Sequence, residues 1–488
     1  MRKEDEIVAR LVAWFDSRLG LSHPMLRPVP EYAVNPFYWL GALTVVAFVI
    51  QGVTGMLMML YYVPSPIQAF QSTQYIFQQV YYGRFLESVH LYTAYAMIML
   101  AFMHMMRGYF VSVHKKPREM MWVVGMVMGF VTLGFGFTGY LLPWTVVSKS
   151  ATDVGIGMID ALPAQISSLF SFLIVGAGGD ATELLRFYDL HVVVLPAVLL
   201  VLLTLKMYML ECHGISEPVA GVVGQEKRRL IPIFPDVSLY LLELAAVFGS
   251  AMLLISVIFP LNLPPQYSPQ LAAQFTPQPD WYFLWIYQIL KISIFEGAGL
   301  PVALSLVTLL FILLFLLPFI DRSEKRRLSD RPIFVTLGVI FVAELIVLAY
   351  WGLITPGQII PFEQAALVIG GTALIIALVS FGAYWVLFSQ IKRQASSRPQ
   401  APTKLATLFS FGALATGGAF AIGNTMNTTV NIIVQGLDWW KALLLTSSII
   451  MLAFVILASA LLIYRIELPN GSLSRRIRFL EKMIHESK

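Results

Sequence analysis

About ten separate stretches of roughly 20 apolar residues punctuate this chain, and each is long enough to cross the hydrocarbon core of a bilayer as a helix. They fall near 37–60, 89–110, 121–142, 190–210, 238–260, 300–320, 332–353, 364–388, 405–425 and 440–464. In lipid a backbone must satisfy its own hydrogen bonds, which leaves helices as the conformation for such segments. The composition agrees: of 488 residues 58% are hydrophobic and only 12% charged, against about 25% charged in an ordinary soluble domain. A soluble multidomain protein, a disordered chain and a collagen-like repeat are excluded. The expectation is an all-α integral membrane protein of about ten transmembrane helices.

Lysine and arginine set the orientation, because cytoplasmic segments are enriched in them. With the N-terminus inside, 28 of the 33 basic residues lie on inner segments, and only Arg84, Lys149, Arg186, Lys291 and Lys441 lie outside. The predicted topology is N-in and C-in. The net charge of +5 is thereby assigned to a membrane face, and no nucleic-acid partner is expected. Residues 1–30 begin with MRKEDEIVARLVAWFDSRLG, which alternates charge with apolar residues and has no cleavable apolar core. They are read as an amphipathic helix on the membrane surface, not a signal peptide. The polar, Pro- and Ser-rich IKRQASSRPQAPTK reads as a linker ahead of the last two spans.

The single cysteine, Cys212, cannot form an intrachain disulfide or hold a zinc or iron-sulfur centre, which need two to four thiolates. Any metal must use histidine. His90 and His104 lie in the second span and His191 at the start of the fourth. Ionisable groups at membrane depth are functional candidates. Fourteen helical residues separate His90 and His104 by about 21 Å and turn them only about 40° apart, so one helix offers two stacked ligands. His191 is placed to partner His90. The position that should partner His104 holds Leu205 and then Lys206, while His213 lies too deep.

Gly41 and Gly55 in the first span and Gly125 and Gly139 in the third repeat the same fourteen-residue interval. Glycine is what a flat macrocycle requires where it meets a backbone. Shared spacing in four helices predicts a four-helix bundle around two stacked hemes. Glycines packing helices, and histidines bonding neighbouring helices, are the alternative for each feature taken alone.

The sequence resembles cytochrome b, the quinol-oxidising heme subunit of Rieske/cytochrome b complexes, in a fused form most similar to the split cytochrome b of oxygenic photosynthesis plus its subunit IV. The resemblance rests on QGVTG before YYVP, SVHLYTAYAMIMLAFMHMMRGYF, HKKPRE, TGYLLPW, RFYDLHVVVLP, PDWYFLWIYQILK and DRSEKRRLSDRP. It implies that His90 and His191 ligate an outer heme and His104 an inner one, with Arg107 beside it. Lys206 aligns with the missing histidine, and three readings compete: a neutral amine ligand, a cation snorkelling to the interface, or a filler for a lost cofactor. Glu87 stands where the family places a propionate-binding arginine, and Arg84, one turn earlier, is expected to compensate. Trp39 stands where the photosynthetic branch has a heme-tethering cysteine, so no covalent third heme is expected.

PDWY matches the family's outer quinol motif, with Asp280 in place of the usual glutamate. Asp280 would take a quinol proton, reaching it through water, and Tyr140, Pro143, Trp144 and Tyr282 would line the pocket. An interfacial aromatic belt is the plainer reading of these rings. At the inner face His213 and Asp236 fall near the family's quinone-reducing site, with charge from Lys115, Lys116 and Arg118; His114 and His213 are otherwise read as solvated loop residues.

The implied layout is a surface helix (1–30), a four-helix heme-binding core (31–235), a second cytochrome b region with the quinol motif (236–360), and additional helices (361–488). The implied protein is a diheme cytochrome b of a prokaryotic plasma-membrane respiratory quinol oxidoreductase. Its implied partners are a Rieske iron-sulfur protein, a cytochrome c or terminal oxidase, quinone, lipid and a second copy of the chain. Two alternatives stand beside it: a single-heme cytochrome b coupled to another redox enzyme, motivated by Lys206, and a proton-coupled transporter, which would carry an inverted repeat that is not visible.

Overall fold

Lipid imposes helices, and helices are what the chain forms. The computed structural model describes residues 28–30, 33–176, 179–216, 230–233, 237–326 and 328–394. The expected surface helix, Asp236 and the spans near 405–425 and 440–464 lie outside the described residues. Within them eight helices are long and apolar enough to span a membrane: α1 (Leu40–Met59), α2 (Gly83–Phe110), α3 (Glu119–Leu141), α4 (Asp180–His213), α5 (Ser238–Ile258), α6 (Leu300–Phe315), α7 (Pro332–Ile354) and α8 (Phe362–Gln394). The last runs through the first four residues of the expected linker. A short antiparallel ribbon pairs Pro28–Pro30 with Leu230–Pro232.

The chain divides into two compact units. Described residues within 28–216, 230–324 and 340–373 belong to the first, and those of 325–339 and 374–394 to the second. All the sites below lie in the first.

Hydroxyls inside the spans close onto their own helix, as they must without water. Thr54 Oγ1 donates to Ile50 O at 2.7 Å, Thr132 to Met128 O at 2.9 Å and Thr138 to Gly134 O at 2.8 Å. Proline shapes two helices. Pro196 has no N–H for Val192 O, and residues Leu190–Val194 just before it wind as a π-helical segment that contains His191. Pro318 cannot serve Leu314 O, and the Trp122 indole donates to that carbonyl at 2.8 Å.

A buried apolar cluster of Ala47, Met97 and Leu199, joined by Phe48, Met128, Val131, Phe135 and Phe248, joins α1 through α5. Met97 stands seven residues from each histidine of α2, so this cluster is the layer between them.

At the His90 end, Arg84 donates to Leu261 O and Asn262 Oδ1, both at 2.6 Å, and Tyr92 donates to Phe259 O at 2.7 Å. These bonds tie the loop after α5 to α2. At the other end His114 is fully buried, which corrects its reading as a solvated loop residue. Its Nε2 lies 3.2 Å from Asp321 Oδ2, while Lys115 Nζ lies 2.9 Å from Asp321 Oδ1 and 2.8 Å from Ser323 Oγ. A basic hexapeptide, HKKPRE, looks solvated until its distant carboxylate is found.

Candidate functional site

Two layers of side chains form where α1, α2, α3 and α4 face one another. In the first, the rings of His90 and His191 stand 6.4 Å apart between centroids, at 64°. Nδ1 of His90 lies 2.8 Å from Thr54 Oγ1, and Nδ1 of His191 lies 3.1 Å from Thr138 Oγ1. Each threonine hydroxyl already donates to its own helix, so it accepts from the imidazole. Nδ1 therefore carries the proton, and Nε2 is left with its lone pair, the form that binds a metal. Gln51 Nε2 also donates to His90 O at 2.6 Å.

Glycines border both layers. A Cβ at Gly55 would come 3.5 Å from His90 Cε1, and one at Gly139 would come 2.5 Å from His191 Cε1. In the second layer a Cβ at Gly41 would come 3.2 Å from His104 Cε1, and one at Gly125 would come 3.0 Å from Lys206 Nζ. Each of the four glycines thus faces one of the four candidate ligands. Half-buried Lys206 occupies toward Gly125 the place His191 occupies toward Gly139.

The arrangement fits a ligated tetrapyrrole. Two metal–imidazole bonds of about 2 Å each, added to the half-width of each ring, match the 6.4 Å centroid spacing of His90 and His191. His104 Nδ1 and the Nε and Nη2 atoms of Arg107 are buried without a hydrogen-bond partner among the described residues. The guanidinium sits 4.0 Å over the Tyr38 ring. Buried donors of this kind require an acceptor, and an acidic substituent of a bound ring is one. Arg84 does not join the histidines: its bonds go to the loop after α5.

A separate polar cluster gathers around PDWY. Tyr95 of α2 donates to Asp280 Oδ1 at 2.9 Å, and Tyr282 donates to Oδ2 at 3.4 Å. Tyr140 of α3 lies within electrostatic reach of the Asp280 carboxylate. Burial pushes the Asp280 carboxyl up to about 6, while the two phenol hydrogen bonds pull it down. Tyr282 is accommodated because position 136 is glycine: a Cβ there would stand 2.7 Å from the phenol oxygen. Gln278 anchors the loop, donating to Gly352 O and Leu353 O at 3.2 and 3.1 Å. Trp144 instead packs into a closed core with Ala69, Leu141, Leu184 and Phe187.

His213 is exposed, with Nδ1 2.9 Å from Met209 O, and Asp236 lies outside the described residues. Arg118 donates to His213 O at 2.9 Å, which assigns that arginine to holding the end of α4.

Sequence reasoning missed Thr54, Thr138, Gly136 and Tyr95. The first two had a signal: each immediately precedes a spaced glycine, giving a repeated Thr-Gly pair in α1 and α3. Tyr95 had none, since its partner is 185 residues away.

Comparison with known proteins gives two family matches. Residues 26–214 match the model described as cytochrome b/b6/petB, and residues 273–377 match cytochrome b(C-terminal)/b6/petD. The chain is 34% identical over 353 residues to the "Cytochrome bc complex cytochrome b subunit" of Chlorobaculum thiosulfatiphilum, covering 70% of this chain and 80% of the relative. It is 37% identical to the "Cytochrome b6" of Acaryochloris marina over 216 residues, which is 43% of this chain and all of that one. Among solved structures, "Hyperthermophilic respiratory Complex III" superposes with a TM-score of 0.62 at 27% identity, covering 77% of this chain and 97% of that chain.

Proposed function

The chain belongs to the cytochrome b family, as a multi-pass membrane subunit of a bc-type oxidoreductase, and from that membership we propose that it is a diheme, quinol-oxidising subunit. His90 with His191 and His104 with Lys206 would hold two b-type hemes, and Arg107 would meet an acidic substituent of the second. When bound, the hemes supply one-electron carriage across the bilayer, taking the electron that quinol does not give to a Rieske iron-sulfur partner. The observation that carries this reading is the one-to-one facing of four glycines with four candidate ligands.

Oxidation of quinol to quinone releases two electrons and two protons. Asp280 takes one proton as its carboxylate becomes a carboxylic acid, and with an acidity near 6 it is mostly ionised at neutral pH. Tyr282 and Tyr140 border the carboxylate and shape the apolar approach. Lys206 acts as a neutral amine: its nitrogen rests against Gly125, whereas a snorkelling cation would turn toward the helix end. The basic residues of the loops favour the His90 end as the outer face, in a prokaryotic plasma membrane. The partners proposed are a Rieske protein, a cytochrome c or terminal oxidase and a second copy of the chain. His213 and Asp236 remain the proposed inner quinone residues.

A reduced-minus-oxidised spectrum with heme quantification on the purified complex tests this. Two low-spin hemes per chain are expected, with Lys206→Ala losing one or turning it high-spin and Lys206→His restoring it. One heme per chain in the native protein selects the single-heme alternative, and a colourless protein ends the reading.

A further inference from the structure

Asp280 is held by two phenols of unequal standing. Tyr95 belongs to the body of α2, twelve residues into the span and five beyond His90, about 7.5 Å along the helix axis. Its ring meets Trp281 edge-on at 6.3 Å and Tyr282 at 6.4 Å. The Tyr95 hydrogen bond, at 2.9 Å, is within the normal O–H···O range. Tyr282 lies in the same loop as the carboxylate, two residues on, and its contact of 3.4 Å is at the limit of a hydrogen bond. The space at Gly136 is what admits its hydroxyl.

We propose that Tyr95 is a positioning residue of the quinol site, holding Asp280 by Oδ1 so that Oδ2 can exchange its weaker Tyr282 contact for the quinol hydroxyl. The inference rests on the quinol reading above. It explains how an aspartate serves where the family's motif has the longer glutamate: a phenol reaching in from α2 fixes the short side chain, and only one oxygen has to change partners. In the step itself the quinol O–H bond breaks, its proton goes to Oδ2, and the oxygen keeps the bonding pair as a quinol monoanion. Tyr95 keeps its own proton throughout.

The titratable groups facing Asp280 are Tyr95 from α2, Tyr140 from α3 and Tyr282 from its own loop. Hydrogen bonds to the ionised carboxylate favour that form, so removing the Tyr95 hydroxyl raises the pKa of Asp280 further above its ordinary value. The base form accepts the quinol proton, and activity falls as pH drops through that value. The acid limb must therefore move to higher pH.

The test compares Tyr95→Phe, Asp280→Asn and the double variant Tyr95→Phe/Asp280→Glu in the purified holo-complex, by quinol turnover against pH and by heme spectrum. Tyr95→Phe is expected to keep both hemes and to move the acid limb of kcat/KM up by roughly one unit, which is about a tenfold loss on the acid side, with far less loss at alkaline pH. The longer glutamate should recover part of that loss. An unmoved limb, a loss equal at every pH, or a loss of heme in Tyr95→Phe overturns the proposal. The two readings fail separately: full turnover in Asp280→Asn removes the quinol role of Asp280, whereas a dead Asp280→Asn with an unmoved Tyr95→Phe limb removes only the role of Tyr95.

Discussion

The four glycines facing candidate ligands are not equally tight, and the differences grade what a methyl group would do. At Gly139 a Cβ would lie 2.5 Å from the His191 ring, closer than any carbon contact tolerates, whereas at Gly55 it would lie 3.5 Å from His90, an ordinary contact. His191 cannot yield without leaving the Thr138 hydroxyl that fixes its proton. Gly139→Ala should therefore lose the heme proposed between His90 and His191, while Gly55→Ala keeps it; pyridine hemochrome quantification of the two purified variants checks the order. Equal retention in both would mean that the ring moves freely and that the threonine contact does not define it.

At the scale of the helix, interruptions matter more than propensity. Trp122 supplies the donor that Pro318 denies to Leu314 O, linking α3 to α6. Trp122→Phe keeps a smaller aromatic ring and strands the carbonyl, at a cost of about 1–3 kcal/mol for the lost hydrogen bond. The expected result is a lower thermal transition with unchanged heme content, measured by heme absorbance on heating in detergent. The spans themselves were legible because each carries the apolar length a bilayer demands, and the histidine and glycine positions were legible because they repeat at fourteen residues in α1, α2 and α3. The π-helical turn holding His191 was not, because Pro196 forbids one bond without dictating the alternative. Nor was the pairing of Tyr95 with Asp280, or the burial of His114 and Lys115. Those depend on partners 185 and more than 200 residues away, and no local pattern encodes such a distance.

Across the molecule, the stretch matching the N-terminal family model meets the stretch matching the C-terminal one in a buried ionic contact. Asp321 carries Lys115 and His114 together, and all three are at most 5% exposed. Removing one partner of a buried pair leaves the other charge uncompensated, at a cost of about 3–5 kcal/mol. Asp321→Asn should lower the thermal transition of the whole complex by more than Trp122→Phe does, and a scan of the two variants side by side measures it. Near-equal transitions would place Lys115 in contact with water.

The apolar slab of Ala47, Met97 and Leu199 has an electrical meaning. It spaces the two ligand layers by about 21 Å, some two-thirds of a hydrocarbon core roughly 30 Å thick. A charge crossing it against a membrane potential of 100 mV does about 1.5 kcal/mol of work, the corresponding share of the full-span value. In the proposed diheme arrangement, transfer between the layers is thus coupled to voltage by the thickness of this slab, and an energised membrane applies back-pressure without any regulatory ligand.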